Sequence, residues 1–209
     1  MKICIFGADG RTGIELVTYA KSKGLDIAAF VFNENLLSHA QDGVQIVQGS
    51  VLEYSSVLKA CTGVDVVVSA LGHIPGSDSR MQTKGMINIV QAMKESKVQR
   101  IISLTGTGVR LPQDTPSIMD MILNYIVKII DRDRIEDGIQ HAKVLQGSGL
   151  DWTIIRVLKL GSSQTAVEKY MLTSGGPVEL LTSRKKVSKI MIDVIENKDY
   201  YYTMPVVSA

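Results

Sequence analysis

Short apolar runs bounded by Gly, Asp or Asn recur along the first two-thirds of the chain: Ile3 to Phe6, Ile27 to Phe32, Val44 to Val47, Val64 to Ser69, Ile101 to Leu104 and Thr153 to Val157. None alternates cleanly between apolar and polar positions. That is the pattern of strands covered on both faces, so a parallel sheet between helical layers is predicted. Between the runs the spacing turns helical, over Thr12 to Lys23, Tyr54 to Cys61, Met81 to Lys97, Asp120 to Asp133 and Arg134 to Gln146. Within Met81 to Lys97, the residues Met86, Ile89, Val90 and Met93 share one face while Lys84, Asn88, Gln91, Lys94 and Glu95 lie off it, which predicts a helix laid on the sheet. Gly24, Gly63 and Gly149 each follow a helical stretch just before a strand, where a residue that tolerates φ > 0 ends a helix.

This alternation predicts βαβ units and an α/β fold: a doubly wound parallel sheet of the Rossmann type in three αβα layers, with residues 1–209 as one domain. After Val157 the pattern is less regular. Gly161, Ser162, Ser163 and Gly175-Gly176-Pro177 read as loops around Val167 to Leu172. A last helix is predicted over Arg184 to Asn197 and an aromatic edge strand over Tyr200 to Met204.

Composition narrows the classes. Hydrophobic residues make up 45% and charged residues 21%, a mix that supports a well-buried core. The formal net charge of +2, with Lys and Arg scattered, argues against a nucleic-acid partner, and Arg184-Lys185-Lys186 reads as a solvated helix start. Cys4 and Cys61 form neither a disulfide framework nor a metal cluster, which fits a reducing cytoplasm. The apolar run at the N-terminus is too short for a signal peptide and no later one has bilayer-spanning length, so no membrane partner and no metal are expected.

The sharpest local signal is Gly7-Ala8-Asp9-Gly10-Arg11-Thr12-Gly13, which follows the first strand and opens the first helix. In G-x-x-G-x-x-G one glycine permits the tight bend, another lets backbone amides approach a pyrophosphate, and the third allows the helix to pack closely on the strand. The helix N-terminus then faces the anion with unsatisfied N–H groups and a favourable dipole. A glycine-rich turn can also arise from packing alone, but its place in the first βα unit is the context that a dinucleotide site requires. A cation at a helix start opposes the dipole, so Arg11 gains from an anionic partner such as a nucleotide phosphate. The end of the second strand offers no carboxylate at Val31 or Phe32 to hold a ribose 2′-hydroxyl, which favours NADP over NAD; a strand end two residues later would bring Glu34 to the ribose instead.

With these residues the chain resembles the atypical short-chain dehydrogenase/reductases, in particular the group related to flavin reductase/biliverdin reductase B. The resemblance runs over nearly the whole chain. It is carried by the Gly7 to Gly13 turn, Gly49-Ser50-Val51, Ser69-Ala70-Leu71-Gly72, Met86 to Val90, and Ser148-Gly149-Leu150-Asp151-Trp152-Thr153-Ile154-Ile155-Arg156. It implies a cofactor site built from Gly7, Asp9, Gly10, Arg11, Thr12, Gly13 and Phe32, with Ser50 and Val51 beside the adenine. It further implies Ala70, Leu71 and Gly72 along the ribose, Thr105 and Gly106 beside the nicotinamide, and the Val157-Leu158-Lys159 loop closing the pocket.

The chain departs from that group at Ser50, where Asp is frequent, at Val157, where Pro is frequent, and near Phe32, where a basic residue is frequent. The wider superfamily uses a Tyr-x-x-x-Lys pair; the one such spacing here, Tyr19 to Lys23, lies inside the first helix and reads as surface. Thr105 and Thr107 are candidate catalytic hydroxyl donors and equally read as strand-end residues that satisfy local backbone groups. His141 and Lys143 fall on the helix before Gly149. His73 follows the fourth strand near the expected pocket, where a loop histidine is commonly just exposed. Two functions lead, an NAD(P)H-dependent reductase of a flavin, quinone or similar small conjugated acceptor, or a dinucleotide-sensing regulator without turnover; an epimerase- or dehydratase-like enzyme acting on a nucleotide sugar is disfavoured by the missing tyrosine and the small region left for substrate. In the first, Val109 to Asp133 is either an adaptable apolar lid or an ordinary helix packed on the sheet.

Overall fold

The computed structural model describes residues 1–32, 43–73, 76–162 and 169–208. In chain order the strands are β1 (Lys2–Phe6), β2 (Asp26–Val31), β3 (Val44–Gln48), β4 (Val66–Ser69), β5 (Arg100–Gly106), β6 (Asp151–Val157), β7 (Leu160–Gly161), β8 (Met171–Thr173), β9 (Thr182–Ser183) and β10 (Val206–Ser208). The main sheet has the order β3-β2-β1-β4-β5-β6-β10-β8, with all pairs parallel except β10 with β8, while β7 and β9 pair apart from it. The helices are α1 (Arg11–Ser22), α2 (Tyr54–Cys61), α3 (Met81–Glu95), α4 (Ile118–Ile130), α5 (Arg132–Gln146) and α6 (Arg184–Asp193). The predicted Rossmann-type α/β fold is therefore the observed one.

The inner strands β1, β2, β4, β5 and β6 are buried on both faces, which is why they lack polar alternation. In β1, Ile3 and Ile5 pack with Leu16, Val17 and Ala20 of α1 and Val187, Ile190 and Met191 of α6. Cys4 and Phe6 point the other way, into a layer of Val57 and Ala60 of α2, Met86, Ile89 and Met93 of α3, and Ala142 and Leu145 of α5. Strand order reverses between β1 and β4, and ligands of open α/β sheets bind in the crevice beyond such a point. Among the described residues no helix is long and apolar enough to cross a membrane.

Helix ends follow local chemistry. Gly24, Gly63 and Gly149 take φ of +71°, +70° and +74°, the left-handed conformation that stops a helix at little steric cost. α4 begins two residues before the periodicity predicts because Ser117 and Asp120 form a reciprocal capping box. The expected edge strand over Tyr200 to Met204 is not formed. Tyr202 has φ +58°, the Tyr201 ring lies 4.1 Å below the Arg100 guanidinium, and Thr203 makes a single bridge to Thr153. The strand instead starts beyond Pro205, at Val206, and is interior, between β6 and β8. Val167, in the segment expected around Val167 to Leu172, lies outside the described residues, whereas Met171 and Leu172 belong to β8.

Two buried polar groups tie the elements together. Arg156, 1% exposed, gives both guanidinium arms to Asp114, its Nε to the Met204 carbonyl at 2.7 Å, and Nη1 to the Val109 carbonyl at 2.9 Å. Burial works to raise the Asp114 carboxyl, but Arg156 and the Leu111 N–H outweigh it and hold the group below its usual range. His141 of α5 is 2% exposed, with Nε2 2.9 Å from Ser103 Oγ, and burial pushes its imidazole down to about 4. Asp137 works against that shift.

Asp114→Ala leaves Arg156 as an uncompensated buried charge and is expected to cost about 3–5 kcal/mol in denaturant unfolding. For His141 the folded protein protonates near pH 4 and the unfolded chain near 6.5, so the unfolded state binds more protons between those values. Stability is full above pH 6.5 and falls by up to about 3 kcal/mol as pH drops towards 4. Thermal unfolding across this range should show a steeper loss in the wild type than in His141→Gln; equal slopes would refute the assignment.

Candidate functional site

The site begins where β1 runs into α1. Gly7 takes φ +73°, and a Cβ there would lie 3.1 Å from the Ala70 carbonyl oxygen, so the turn passes close to the end of β4. At Gly13 the constraint is tighter: a Cβ would come within 2.0 Å of the Gly7 oxygen and 2.6 Å of Ala8 Cα. α1 can sit on the end of β1 only because Gly13 has no side chain. Ala8 N–H donates to the Phe30 carbonyl at 3.1 Å and Gly10 N–H to the Gly7 carbonyl at 3.0 Å, which sets the turn against β2.

The N-terminus of α1 carries no side-chain cap and no acidic residue in its first turn. Ser117 caps α4, Ser183 caps α6, and Asp137 reaches from α5 to cap α3, whereas α2 and α5, like α1, have no side-chain cap; what sets α1 apart is the glycine turn in front of it. The free donors of α1, the dipole behind them and the glycine cradle fit a bound pyrophosphate.

Two neighbouring cavities lie beside this turn at the C-terminal strand ends. The first, about 650 Å³, is lined by Gly7, Asp9, Gly10, Phe30, Phe32, Ser50, Val51, Ala70, Leu71 and Gly72, among others. The second, about 390 Å³, shares Ala70, Leu71 and Gly72 with it and adds Thr12, His73, Gln82, Thr105, Gly106, Val109, Val157 and Leu158. Of the residues expected at a cofactor, Gly13 lies beneath the turn as packing, and Arg11 is exposed at the start of α1 without lining either cavity. Phe32 is 65% exposed, and its N–H donates to Asp9 Oδ2 at 2.9 Å. Val51 is fixed by α3: its carbonyl accepts from Asn88 Nδ2 at 3.0 Å, and Gly85 leaves room for its methyl groups. Glu34, the alternative ribose ligand, lies outside the described residues.

The second cavity holds the polar chemistry. Thr105 lines it, and α5 approaches so closely there that a Cβ at Gly138 would lie 3.0 Å from Thr105 Oγ1. Thr107 is instead buried away from the cavity, its hydroxyl donating to Asn124 Oδ1 of α4 at 3.0 Å. Tyr19 and Lys23 are remote from the cleft: Tyr19 is half-buried between α1 and α6, where its hydroxyl donates to Asp193 at 3.1 Å and accepts from Lys189 at 3.2 Å. α4 contributes Val127 to the cavity wall and leaves Ile118, Met119, Tyr125 and Ile129 exposed, so it lies against α5 and not on the sheet.

His73, expected to be exposed, has a side chain only 9% accessible, with Nε2 3.0 Å from Asp137 Oδ2. Asp137 was not singled out by any motif. Its one trace in the sequence is the i, i+4 spacing with His141, which puts two polar residues on the face of α5 that also carries Gly138, Ala142 and Leu145. Among the described residues there is no His/Cys/Asp/Glu group able to hold a metal ion.

Comparison with known proteins agrees with this geometry. A curated relative, the uncharacterized protein YwnB of Bacillus subtilis, is 30% identical over 108 residues, which span 52% of this chain and 48%, about half, of that relative. ChuY, an anaerobillin reductase of Escherichia coli O157:H7, superposes with a TM-score of 0.82 at 17% identity, covering 100% of this chain and 97% of that one. A short-chain dehydrogenase/reductase of Veillonella parvula solved in complex with NADP gives a TM-score of 0.81 at 18% identity, covering 100% and 94%. These two share the fold. A family model described as NAD(P)H-binding matches residues 7–198, from the first glycine of the turn to beyond α6. The chain belongs to this NAD(P)H-binding family.

Proposed function

We propose that the protein is a reductase that uses a nicotinamide dinucleotide, NADPH in preference to NADH, to reduce a small conjugated acceptor such as a flavin or quinone. The observation that carries this reading is a pair of neighbouring cavities that share Ala70, Leu71 and Gly72 in their lining, with the glycine cradle in the first. When bound, the dinucleotide supplies hydride. The chain supplies position: Gly7, Gly10 and the first-turn amides of α1 hold the pyrophosphate, Ser50 and Val51 border the adenine, and Thr105, Gly106 and Val157 border the nicotinamide. Val109, Val127 and Ile135 give the second cavity an apolar face on which a flat ring can lie. Reduction of such a ring depends on stacking geometry, so the absence of Tyr19 and Lys23 from the cleft is compatible with turnover.

The reading draws further support from ChuY, itself a reductase, and from the NADP complex of the Veillonella protein. Preference for NADPH rests on Arg11 at the exposed start of α1 and on the carboxylate-free end of β2. The two thiols are buried, and burial pushes Cys61 up to about 12 and Cys4 well above its usual value, consistent with inert cysteines in a cytoplasmic protein. The missing Tyr-x-x-x-Lys pair favours a second reading, a dinucleotide sensor without turnover.

Titration with NADPH and NADH followed by an acceptor screen separates the two: steady NADPH oxidation with riboflavin or a quinone is expected, and tight binding with no oxidation across the panel would leave the sensor. Arg11→Ala should weaken NADPH by about tenfold or more while NADH is little changed, the loss of one charge-assisted contact. Equal effects on both would refute a 2′-phosphate role. Gly13→Ala should abolish binding of both dinucleotides, because α1 must move off the turn; retained affinity in calorimetry would contradict the cradle.

A further inference from the structure

Asp137 accepts more hydrogen bonds than capping α3 requires. Its side chain has no solvent exposure, and it receives the N–H groups of Gln82 at 2.9 Å and Thr83 at 3.0 Å together with the Thr83 hydroxyl. Those three complete the helix start. The fourth partner is Nε2 of His73, 3.0 Å from Oδ2, and the same nitrogen lies 3.2 Å from the Ser79 carbonyl. Both neighbours of Nε2 are acceptors, so Nε2 carries the hydrogen. Nδ1 makes no hydrogen bond among the described residues, and the ring lines the second cavity together with Thr105, Gln82 and Val157.

We propose that His73, oriented by Asp137, is the proton donor of the second cavity. The inference rests on the reductase reading above. When hydride arrives at the acceptor, negative charge develops on a quinone oxygen or a flavin ring nitrogen. The Nδ1–H bond of the His73 imidazolium breaks and its proton passes to that atom. The acceptor thereby gains two electrons and two hydrogens while the dinucleotide is oxidised, and solvent at the cavity mouth returns a proton to Nδ1. Asp137 is a positioning residue: it fixes the ring through Nε2, keeps Nδ1 as the exchanging nitrogen and balances the charge of the imidazolium. His141, a turn further along α5, cannot share this task because it is buried and bonded to Ser103.

Two measurements test the assignment. In the protein without dinucleotide, ¹⁵N spectra of labelled histidine should show the neutral His73 ring protonated on Nε2, with Asp137→Asn eroding that preference; a neutral ring protonated on Nδ1 overturns the proposal. In turnover with a quinone, His73→Ala should bind NADPH, followed by its fluorescence, with unchanged Kd, lose about 100-fold in kcat with little change in KM, and recover part of that rate when free imidazole is added. Unchanged kcat, or a loss that imidazole does not rescue, overturns the role of His73 and leaves the reductase reading intact. Wild-type protein that binds NADPH but oxidises none overturns both. Because His73 sits in a loop, its variants test the proposal even if Asp137→Asn fails to fold.

Discussion

The structure is organised around the contact between α1 and the end of β1. With a hydrogen as its side chain, Gly13 lets the helix start directly over the Gly7 carbonyl; any Cβ would lie 2.0 Å from that oxygen. The contact brings the uncapped helix N-terminus to the point where strand order reverses between β1 and β4. It also leaves Gly7 in a left-handed turn hard against Ala70, which couples the cradle to the wall shared by both cavities. The geometry of this glycine cradle is thus a by-product of how closely one helix is allowed to pack. Widening that approach would misplace the amides, the dipole and the cleft together.

α5 plays the corresponding part at the other end of the cleft. Gly138 permits the helix to come within contact of Thr105, and its neighbours Asp137 and His141 then meet α3 and β5. Buried polar groups are costly unless bonded, and here the two are resolved differently. Asp137 remains hydrogen-bonded to four donors, whereas His141 bonds only Ser103 among the described residues, leaves Nδ1 without a partner there, and is held neutral by burial. The core around β1 and β2 is almost entirely apolar, while buried hydrogen-bonded polar groups run along β5 and β6, from Arg100 at the start of β5 to Arg156 near the end of β6.

The rest of the second cavity depends on long-range ties. Arg156, at the end of β6, clamps Asp114 and the carbonyls of Val109 and Met204, so the segment after β5 and the chain before β10 are held by one guanidinium. That clamp holds Asp114, three residues before the Ser117 capping box that starts α4, the helix that brings Val127 to the cavity.

The strands, the helices, the parallel sheet and the glycine turn were legible in the sequence because each is a local matter: apolar runs, helical spacing and Gly punctuation act over a few residues. Most residues expected around the dinucleotide do line the cleft, since the C-terminal ends of parallel strands converge wherever the fold forms. The tertiary structure alone decided the rest. Tyr200 to Met204 has strand-like composition, but Arg100 and a left-handed Tyr202 claim those residues, and the strand forms after Pro205. Thr107 and Thr105 look equivalent in sequence, yet Asn124, distant in the chain, takes the first out of the cavity. The His73–Asp137 pair joins residues 64 positions apart, and no periodicity records a contact made only when α5 packs across the start of α3.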